Sequence, residues 1–336
     1  MSITWYQQPE TGEGQIISSR VRLARNVKKY PFSSKLDSEN ATRLISETTA
    51  AITTAHFRHL DIHSLATTEQ NVFLEKHIVS PEFLKGRLPK GLLISDSENT
   101  SVMINEEDHI RIQAVEPGKD LHAAYRMAGL IDDLIEERIE FAFHMEYGYL
   151  TACPTNTGTG LRASYMIHLP CLDKADLIKT ILPHIAKFGI TLRGIYGEGT
   201  APMGSIYQIS NQNTIGKSEI DIIQGLQSVT KNVINQEQQA LDKLLSTRRS
   251  YLEDRIYRAY GILTHSRMIS AKEAMDLLSD IRLGYLTEIL EKPKPTKQIY
   301  QIMMEIQPGH LQRRAGEEMT DEERDTARAN HLRELI

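Results

Sequence analysis

The sequence has little cysteine, no long apolar run and no excess of positive charge. Its 336 residues include two cysteines, Cys153 and Cys171, which lack the short paired spacing of a zinc site and are too few for a disulfide framework. This usage is typical of a protein from a reducing cytoplasm. No apolar run approaches the ~18 residues of a membrane-spanning helix. The N-terminal residues also lack the basic and apolar regions of a signal peptide.

Charge and length restrict the class of protein further. Lys and Arg number 39 against 44 Asp and Glu, a net charge of −5, so no bulk positive field favours nucleic acid or an anionic membrane as a partner. Hydrophobic residues make up 40% of the chain, which is enough to bury a core. A chain of this length is typical of about two domains.

The order of predicted elements indicates an α+β fold followed by helices. A helix is predicted to begin near Asp37 or Ser38. From about Gly91, short strand patterns such as GLLISD, SVMIN, HIRIQAV, GYLTACP, YMIHL, ITLRGIYG and IYQISNQ follow one another with few helices between them. This order favours a mainly antiparallel sheet flanked by helices. After Gly216 the strand patterns stop, so we expect a catalytic domain over 1–250 and an all-α C-terminal domain over 251–336.

Two glycine-rich segments resemble nucleotide-binding motifs but do not meet their requirements. The segment GTGLRA, starting at Gly158, matches G-x-G-x-x-A but precedes a predicted strand, whereas a dinucleotide fingerprint opens a helix. The segment NQNTIGKS has Asn211 in the position of the first glycine of a P-loop. Neither segment therefore predicts binding of the nucleotide that its motif would recognise.

Five arginines stand beside glycines, serines or strand ends. Arg20 and Arg22 alternate in SSRVRLARN, so they share one face of an extended segment. The others are Arg111, Arg162 and Arg193. Taken singly, each is typical of a solvated surface residue or an ion pair. Together they indicate a polyphosphate site, since guanidinium groups bind phosphate oxygens bidentately.

Two carboxylates and one cysteine complete the candidate chemistry. Glu107 belongs to NEEDH, and Glu198 lies between two glycines in a second glycine-rich turn. Both also fit a polar loop, but carboxylates from two segments can hold one cationic group and accept its proton. Cys153 precedes a proline and a Gly/Thr turn, where a thiolate can be exposed. Cys171 fits a small buried residue.

These segments, in this order, resemble the guanidino kinases, the family of creatine and arginine kinases. The resemblance rests on SSRVRLARN, NEEDHIRIQ, CPTNTGTGLRAS, RGIYGEG and QISNQ, between about Ser18 and Ser250. Too few residues precede Ser18 for the N-terminal helical domain of the metabolic members, and a helical C-terminal extension is present instead. Both features resemble the bacterial protein-arginine kinases, so the resemblance implies phosphorylation of arginine side chains in proteins.

The resemblance also implies roles for individual residues. Glu107 and Glu198 would hold the substrate guanidinium, with Cys153 beside it. The implied nucleotide contacts are Ser18, Ser19, Arg20, Val21 and Arg22; His77; Arg111; Arg162, Ala163, Ser164, Tyr165 and Met166; and Arg193, Gly194, Ile195, Tyr196, Gly197 and Glu198. The nucleotide would be ATP. Mg²⁺ would arrive on the phosphates, because the sequence shows no carboxylate motif for it.

A second implied site lies near the C-terminus. Arg324, Asp325, Thr326, Ala327, Arg328 and Ala329 match the RDxxRA motif, which in that family resembles a regulatory phosphoarginine-binding site. Arg324 and Arg328 are four residues apart and so share one face of a helix. Read without the family, the segment is also typical of a solubilising charged helix.

The implied partners are proteins with exposed arginines, among them a heat-shock transcription repressor, together with Clp-type protease machinery and an activator protein. An additional helical domain often serves assembly, so we expect a homo-oligomer. Two other functions use the same residues: a small-molecule guanidino kinase, and a phosphoarginine-binding scaffold with an inactive kinase site. The first lacks a domain to enclose a free amino acid. The second is disfavoured because every candidate site residue is intact.

Overall fold

A computed structural model of the chain describes residues 4–7, 14–52, 56–194, 202–291 and 297–336. The described part consists of one large antiparallel sheet with helices on both sides and a group of helices at the C-terminal end. No helix within it is long and apolar enough to span a bilayer. The α+β fold predicted from the sequence is confirmed.

The large sheet has eight strands, and every described pairing in it is antiparallel. The strands are β1 Ile16–Arg25, β2 Phe57–Asp61, β3 Gly91–Ser95, β4 Thr100–Ile104, β5 Ile110–Pro117, β8 Leu161–His168, β9 Ile190–Gly194 and β10 Ile206–Asn211, in the order β2-β3-β4-β5-β1-β8-β10-β9. Two short strands, β6 Phe143–His144 and β7 Gly148–Tyr149, form a separate hairpin. The central strand β1 therefore lies between the strands that follow the NEEDH and CPTNTGTG segments.

One face of the sheet is apolar and packs against helices. The cross-strand neighbours Val21, Ala114 and Ala163 are all fully buried. Helices α1 Ser38–Ala51, α3 Leu121–Glu136, α5 Ile178–Ala186 and α6 Glu219–His265 bury their apolar sides against this face. Because side chains alternate along a strand, the residues between these apolar ones lie on the other face.

The first helix begins where the sequence predicted it. Asp37 is its N-cap, and its side chain accepts a hydrogen bond from the backbone N–H of Asn40 at 2.8 Å. Two helices, α4 Pro170–Lys174 and α5, lie between β8 and β9, and Asp176 at φ 55° separates them. The segment GYLTACP contributes only β7 and then turns, because Gly148 has a positive φ and Pro154 opens a 3-10 turn.

The C-terminal helices pack against one another and against the edge of the sheet's second face. They are α7 Ala271–Leu286, α8 Ile299–Glu305, α9 Pro308–Ala315 and α10 Asp321–Leu335. Helix α6 leads into them and is kinked at Arg248, where φ is −145°. The predicted domain boundary at residue 250 stays a prediction, and the kink lies close to it. The apolar cluster of these helices also includes Trp5 and Ile17, so the two regions share a core.

A buried ion pair connects β1 to helix α3. The Arg25 guanidinium donates to Asp132 Oδ2 at 2.6 and 3.1 Å and to the carbonyl oxygen of Thr159 at 2.9 Å. It also lies 3.6 Å from the ring centroid of Tyr149. Burial raises the pKa of Asp132, and the adjacent Arg25 opposes that rise. Arg25 therefore holds the loop around Thr159 against the sheet.

We predict that Asp132→Ala lowers the free energy of unfolding by about 3–5 kcal/mol, because it leaves a buried guanidinium without its carboxylate. The exposed pair Lys28–Glu140, with side chains 63% and 72% accessible, supplies the control. Glu140→Ala should cost less than about 1 kcal/mol. Urea unfolding of both variants measures the difference, and equal losses would contradict the role given to Arg25.

Candidate active site

The five arginines singled out in the sequence share the second face of the sheet. Arg22 on β1 lies opposite Arg162 on β8. Arg193 on β9 lies opposite Gln208, which in turn lies opposite Met166 on β8. Arg20 and Arg111 occupy the same alternation on β1 and β5. Since directly opposed residues of antiparallel strands project to the same side, the register brings five cationic side chains to one face.

This face forms the floor of a cavity of about 380 Å³. Polar and charged side chains supply much of its surface, and its apolar side comes from Leu74, Val79, Pro81 and Met103. The described lining residues are Arg20, Arg22, Leu74, His77, Val79, Ser80, Pro81, Met103, Gln113, Arg162, Arg193, Gly194, Gln208 and Ser210. No carboxylate is among them. A cavity with four guanidinium groups and no described acidic lining fits a polyanion with an apolar portion.

Crowding of like charges strengthens this interpretation. Burial and the neighbouring Arg162 lower the pKa of Arg20 to about 10. Burial, with Arg20, Arg111 and Arg162 nearby, lowers the pKa of Arg22 well below its usual value. Within the described chain, Nε of Arg22 is buried without a hydrogen-bond acceptor. Phosphate oxygens would supply the missing acceptor and the missing negative charge, so these residues fit the phosphates of ATP.

Because side chains alternate between the two faces of a strand, only some of the predicted nucleotide contacts face the cavity. Ser18 lines a small extension of the cavity with Ser164 and Met166. Ser19 and Val21 instead face the helices: the Ser19 hydroxyl donates to the carbonyl oxygen of Gly118, and Val21 belongs to the apolar core. Ala163 and Tyr165 belong to that core as well. The segments SSRVR and RASYM therefore present alternate side chains to the cavity, and only those can touch a nucleotide there.

His77 lies on the wall of the cavity rather than on its floor. It follows helix α2 Thr67–Glu75, which the sequence analysis did not predict. It has φ 57°, and its carbonyl oxygen accepts from Gln113 Nε2 at 2.8 Å. Burial and the adjacent Arg20 lower the pKa of His77 to about 3. The imidazole is therefore neutral at physiological pH and suits a base or ribose better than a phosphate.

The NEEDH segment places two acids beside Arg111. Its guanidinium donates to Glu106 at 2.7 Å and to Glu107 at 3.4 Å. Glu106 is nearly buried, and Glu107 is 48% accessible. Burial raises the pKa of Glu107 against the effect of Arg111, and a raised pKa suits a carboxylate that accepts a proton. Arg111 thus adjoins both the arginine cluster and the candidate base.

Two residues that the sequence analysis missed connect Glu107 to the Cys153 loop. Asp108 is fully buried, and its Oδ1 accepts from Asn26 Nδ2 at 2.7 Å and from the backbone N–H of Ala152 at 2.6 Å. Cys153 follows directly, with Sγ 3.0 Å from the Thr155 hydroxyl. The sequence alone does not distinguish Asp108 from the other two acids of NEEDH, because its role depends on these tertiary contacts.

The two cysteines differ as expected in exposure. Cys153 is partly accessible on an exposed turn, whereas Cys171 is buried in the cluster of the C-terminal helices. Burial and the nearby Glu237 raise the pKa of the Cys171 thiol. Neither Cys153 nor Glu107 lines the cavity itself. The predicted contacts Ile195, Tyr196, Gly197 and Glu198 lie outside the described residues.

Metal binding was not predicted from the protein side chains. Across the part of the chain that the structure describes, no group of three or more His, Cys, Asp and Glu is arranged to hold a metal ion.

The RDxxRA segment lies on helix α10 but does not present two free guanidinium groups. Arg328 is 1% exposed, and it donates to the carbonyl oxygens of Ile306 and Ile269 at 3.0 and 2.8 Å and to Asp325 at 2.5 Å. Arg324 is more accessible and donates to the carbonyl oxygen of Met319 and to Asp321. The expected shared face therefore holds one buried and one accessible arginine, because Arg328 joins three segments of the C-terminal region.

The C-terminal helices contact the cavity wall through Glu75. This buried carboxylate accepts from the backbone N–H groups of Gly309 and His310 at 2.7 and 3.1 Å, at the start of α9, and from His310 Nδ1 at 2.8 Å. A Cβ on Gly309 would lie 2.9 Å from this carboxylate. Trp5 packs on Tyr300 of α8 with ring centroids 5.9 Å apart. The wall that carries His77 is therefore held by the C-terminal region.

Comparison with known proteins agrees with this geometry. The family model described as "ATP:guanido phosphotransferase, C-terminal catalytic domain" matches residues 40–240. The chain belongs to the ATP:guanido phosphotransferase family, and it is a phosphotransferase enzyme.

A second family model and the curated relatives show which members of this family the chain resembles. The model described as "Protein-arginine kinase McsB C-terminal domain" matches residues 249–336. The protein-arginine kinase of Moorella thermoacetica is 44% identical over 96% of this chain and 93% of its own length. That of Halothermothrix orenii is 43% identical over 95% and 92%. The resemblance to protein-arginine kinases is confirmed.

Solved structures share the fold. The duplicated taurocyamine kinase of Schistosoma mansoni, with bound transition state analog components, has a TM-score of 0.63 and 23% identity over 75% of this chain and 40% of its own. A lombricine kinase has a TM-score of 0.61 and 24% identity over 72% and 70%. At these identities the likeness concerns the architecture of the sheet and its helices.

We predict that Glu75→Gln raises the KM for ATP by roughly tenfold with little change in kcat. Charge-assisted hydrogen bonds of this kind are worth about 1.5–3 kcal/mol, and their loss frees the wall that carries His77 without touching a reacting group. Gly309→Ala should have the same effect from the other side of the contact. Glu69→Gln, on an exposed position of the same helix, is the matched control. Steady-state kinetics that show equal KM values for Glu75→Gln and Glu69→Gln would contradict the coupling.

Proposed function

We propose that this enzyme transfers the γ-phosphoryl group of ATP to the guanidino group of arginine side chains in proteins. The observation that carries the proposal is the four-arginine cavity together with Arg111, which donates to Glu107. Asp108, the next residue, accepts from the backbone N–H of Ala152, directly before Cys153. The curated relatives are named protein-arginine kinases, which supports a protein rather than a free amino acid as the acceptor.

The chemistry requires a base and a neutralised triphosphate. An arginine guanidinium stays protonated at physiological pH and is then a poor nucleophile. Glu107 would align the group and take its proton while a guanidino nitrogen bonds to the γ-phosphorus. The bond from that phosphorus to the bridging oxygen breaks, and ADP leaves. Glu198 is proposed as the second carboxylate on the same guanidinium.

The arginines would neutralise the negative charge of the phosphoryl group during its transfer. A phosphoryl-transfer transition state is loose, so positioning and charge neutralisation supply most of the catalysis. Arg20, Arg22, Arg162 and Arg193 would bind the phosphates along the floor of the cavity. Bound Mg²⁺ would supply further positive charge through the phosphate oxygens and water. His77 and the wall that carries it would contact the nucleoside.

The resemblance to the family extends the proposal. The substrates include a heat-shock transcription repressor and proteins directed to Clp-type proteolysis in the cytoplasm. An activator protein acts on the enzyme, and the enzyme forms a homo-oligomer. The RDxxRA segment, Arg324 to Ala329, is the proposed regulatory phosphoarginine site, with Arg324 as its accessible group and Arg328 holding α10 in place.

The experiment that tests the function is detection of phosphoarginine. With Mg-ATP and an unfolded protein substrate, mass spectrometry at neutral pH should find phosphate on arginine. Glu107→Gln should lower the rate at least about 10²-fold, the lower range for loss of a general base. Turnover of free arginine with none on protein would contradict the proposal, and near-normal turnover in Glu107→Gln would remove that residue from the mechanism.

The two cysteines provide an internal control in the same assay. Cys153→Ala should reduce turnover, since Cys153 lies on the exposed turn next to the candidate base. Cys171→Ala should leave kcat and KM unchanged, because Cys171 is buried among the C-terminal helices. Equal effects on turnover would contradict the separation of the two roles.

A further inference from the structure

The β6–β7 hairpin exposes apolar side chains that no described element covers. Phe143 is 54% exposed, Met145 91% and Tyr147 46%. The hairpin is short and is held by the pairs Phe143 with Tyr149 and His144 with Gly148. Single exposed apolar residues are ordinary on a protein surface, but three on one hairpin indicate a contact surface.

The hairpin is fixed to the loop that carries Cys153. The backbone N–H of Tyr149 donates to the carbonyl oxygen of Gly158 at 2.8 Å, and the N–H of Gly158 returns a hydrogen bond at 3.2 Å. A Cβ on Gly148 would lie 2.4 Å from the Gly158 oxygen, so only glycine permits this approach. The exposed side chains therefore keep a fixed position relative to the candidate substrate site.

A fourth exposed apolar side chain lies on the other side of the same loop. Ile215 is 54% exposed. Thr214, directly before it, donates from its hydroxyl to the carbonyl oxygen of Thr157 at 2.7 Å. The backbone of Ile215 lies 2.9 Å from where a Cβ on Gly158 would be. Phe143, Met145, Tyr147 and Ile215 thus border the loop from two sides, and we refer to these four residues as the apolar rim.

The charge on the hairpin side of the apolar rim is negative. Residues 136–146 contain four glutamates and one arginine, all exposed, and Lys28 neutralises one of them, Glu140. Glu107, which is 48% accessible, adds further negative charge. It directly precedes Asp108, which bonds the Cys153 loop at Ala152. A segment with positive charge and apolar side chains is complementary to such a surface.

We propose that the apolar rim binds apolar side chains that flank the target arginine in an unfolded polypeptide segment. The inference rests on the proposed function and deepens it. A folded protein buries most of its large apolar side chains and leaves its arginines exposed, whereas an unfolded segment presents both within a few residues. Methionine and aromatic side chains suit a surface that accepts varied apolar partners.

The test compares two peptides of equal length, each with one arginine. Leucine and phenylalanine flank the arginine in one peptide, and glycine and serine flank it in the other. The wild-type enzyme should favour the apolar peptide by about tenfold in kcat/KM, the lower range for apolar pocket discrimination. The triple variant Phe143→Ser, Met145→Ser and Tyr147→Ser should lose this preference, with unchanged KM for ATP and unchanged turnover of the glycine-serine peptide.

The control variant carries Leu130→Ser and Phe188→Ser, two side chains 64% and 66% exposed that lie outside the apolar rim. It should keep the preference. A preference retained in the triple variant, or lost equally in the control, would overturn the inference. So would light scattering that shows loss of self-association in the triple variant with the preference intact, because a second copy would then cover the rim. Phosphoarginine on neither peptide would instead contradict the proposed function.

Discussion

The chemistry proposed for this enzyme depends on the crowding of five guanidinium groups on one face of a sheet. Burial and their mutual repulsion lower the pKa of Arg20 to about 10 and that of Arg22 well below its usual value. Arg111, at the edge of this group, is paired with the carboxylates of Glu106 and Glu107. Such an arrangement costs stability while the cavity holds no anion, and a polyphosphate turns that cost into affinity. The opposite face, which is apolar and covered by helices, keeps the strands in the register that makes the crowding possible.

The sequence could predict the fold class and the arginine set because both depend on local patterns. Alternation alone placed Arg20 and Arg22 on one face, and the cap residue Asp37 marked the start of α1. Alternation could also have excluded the side chains of Ser19 and Val21 from the predicted nucleotide contacts. The family resemblance applies to the whole segment SSRVR, however, so it included them with the others. The pairing of Arg22 with Arg162 depends on contacts across more than a hundred residues, which no local pattern contains.

Other features escaped prediction because tertiary contacts determine them. Helix α2 lacks a clear apolar side, so its sequence does not predict a helix. Its position in the fold depends on Glu75, which bonds the start of α9. Arg328 fits an exposed receptor by spacing, but the structure buries it against the carbonyl oxygens of Ile306 and Ile269. Asp108 looked like one acid among three, and only the approach of Ala152 shows its role.

These contacts join the C-terminal helices to the wall of the arginine-lined cavity. Arg328 bonds Ile306 at the end of α8, α9 follows after one residue, and α9 binds Glu75 beside the wall that carries His77. A short series of contiguous contacts thus connects α10 to the wall of the cavity. The proposed protein substrate would bind at the Cys153 loop, and Cys153 does not line this cavity.

The most direct test of the account is calorimetric titration of the chain with AMP, ADP and ATP at one fixed salt concentration. If the arginine face is a phosphate receptor, affinity rises with each added phosphate. The gain from AMP to ATP then falls sharply in Arg22→Met, which removes one guanidinium from the floor of the cavity. Equal affinities for AMP and ATP, or an unchanged gain in Arg22→Met, would contradict it.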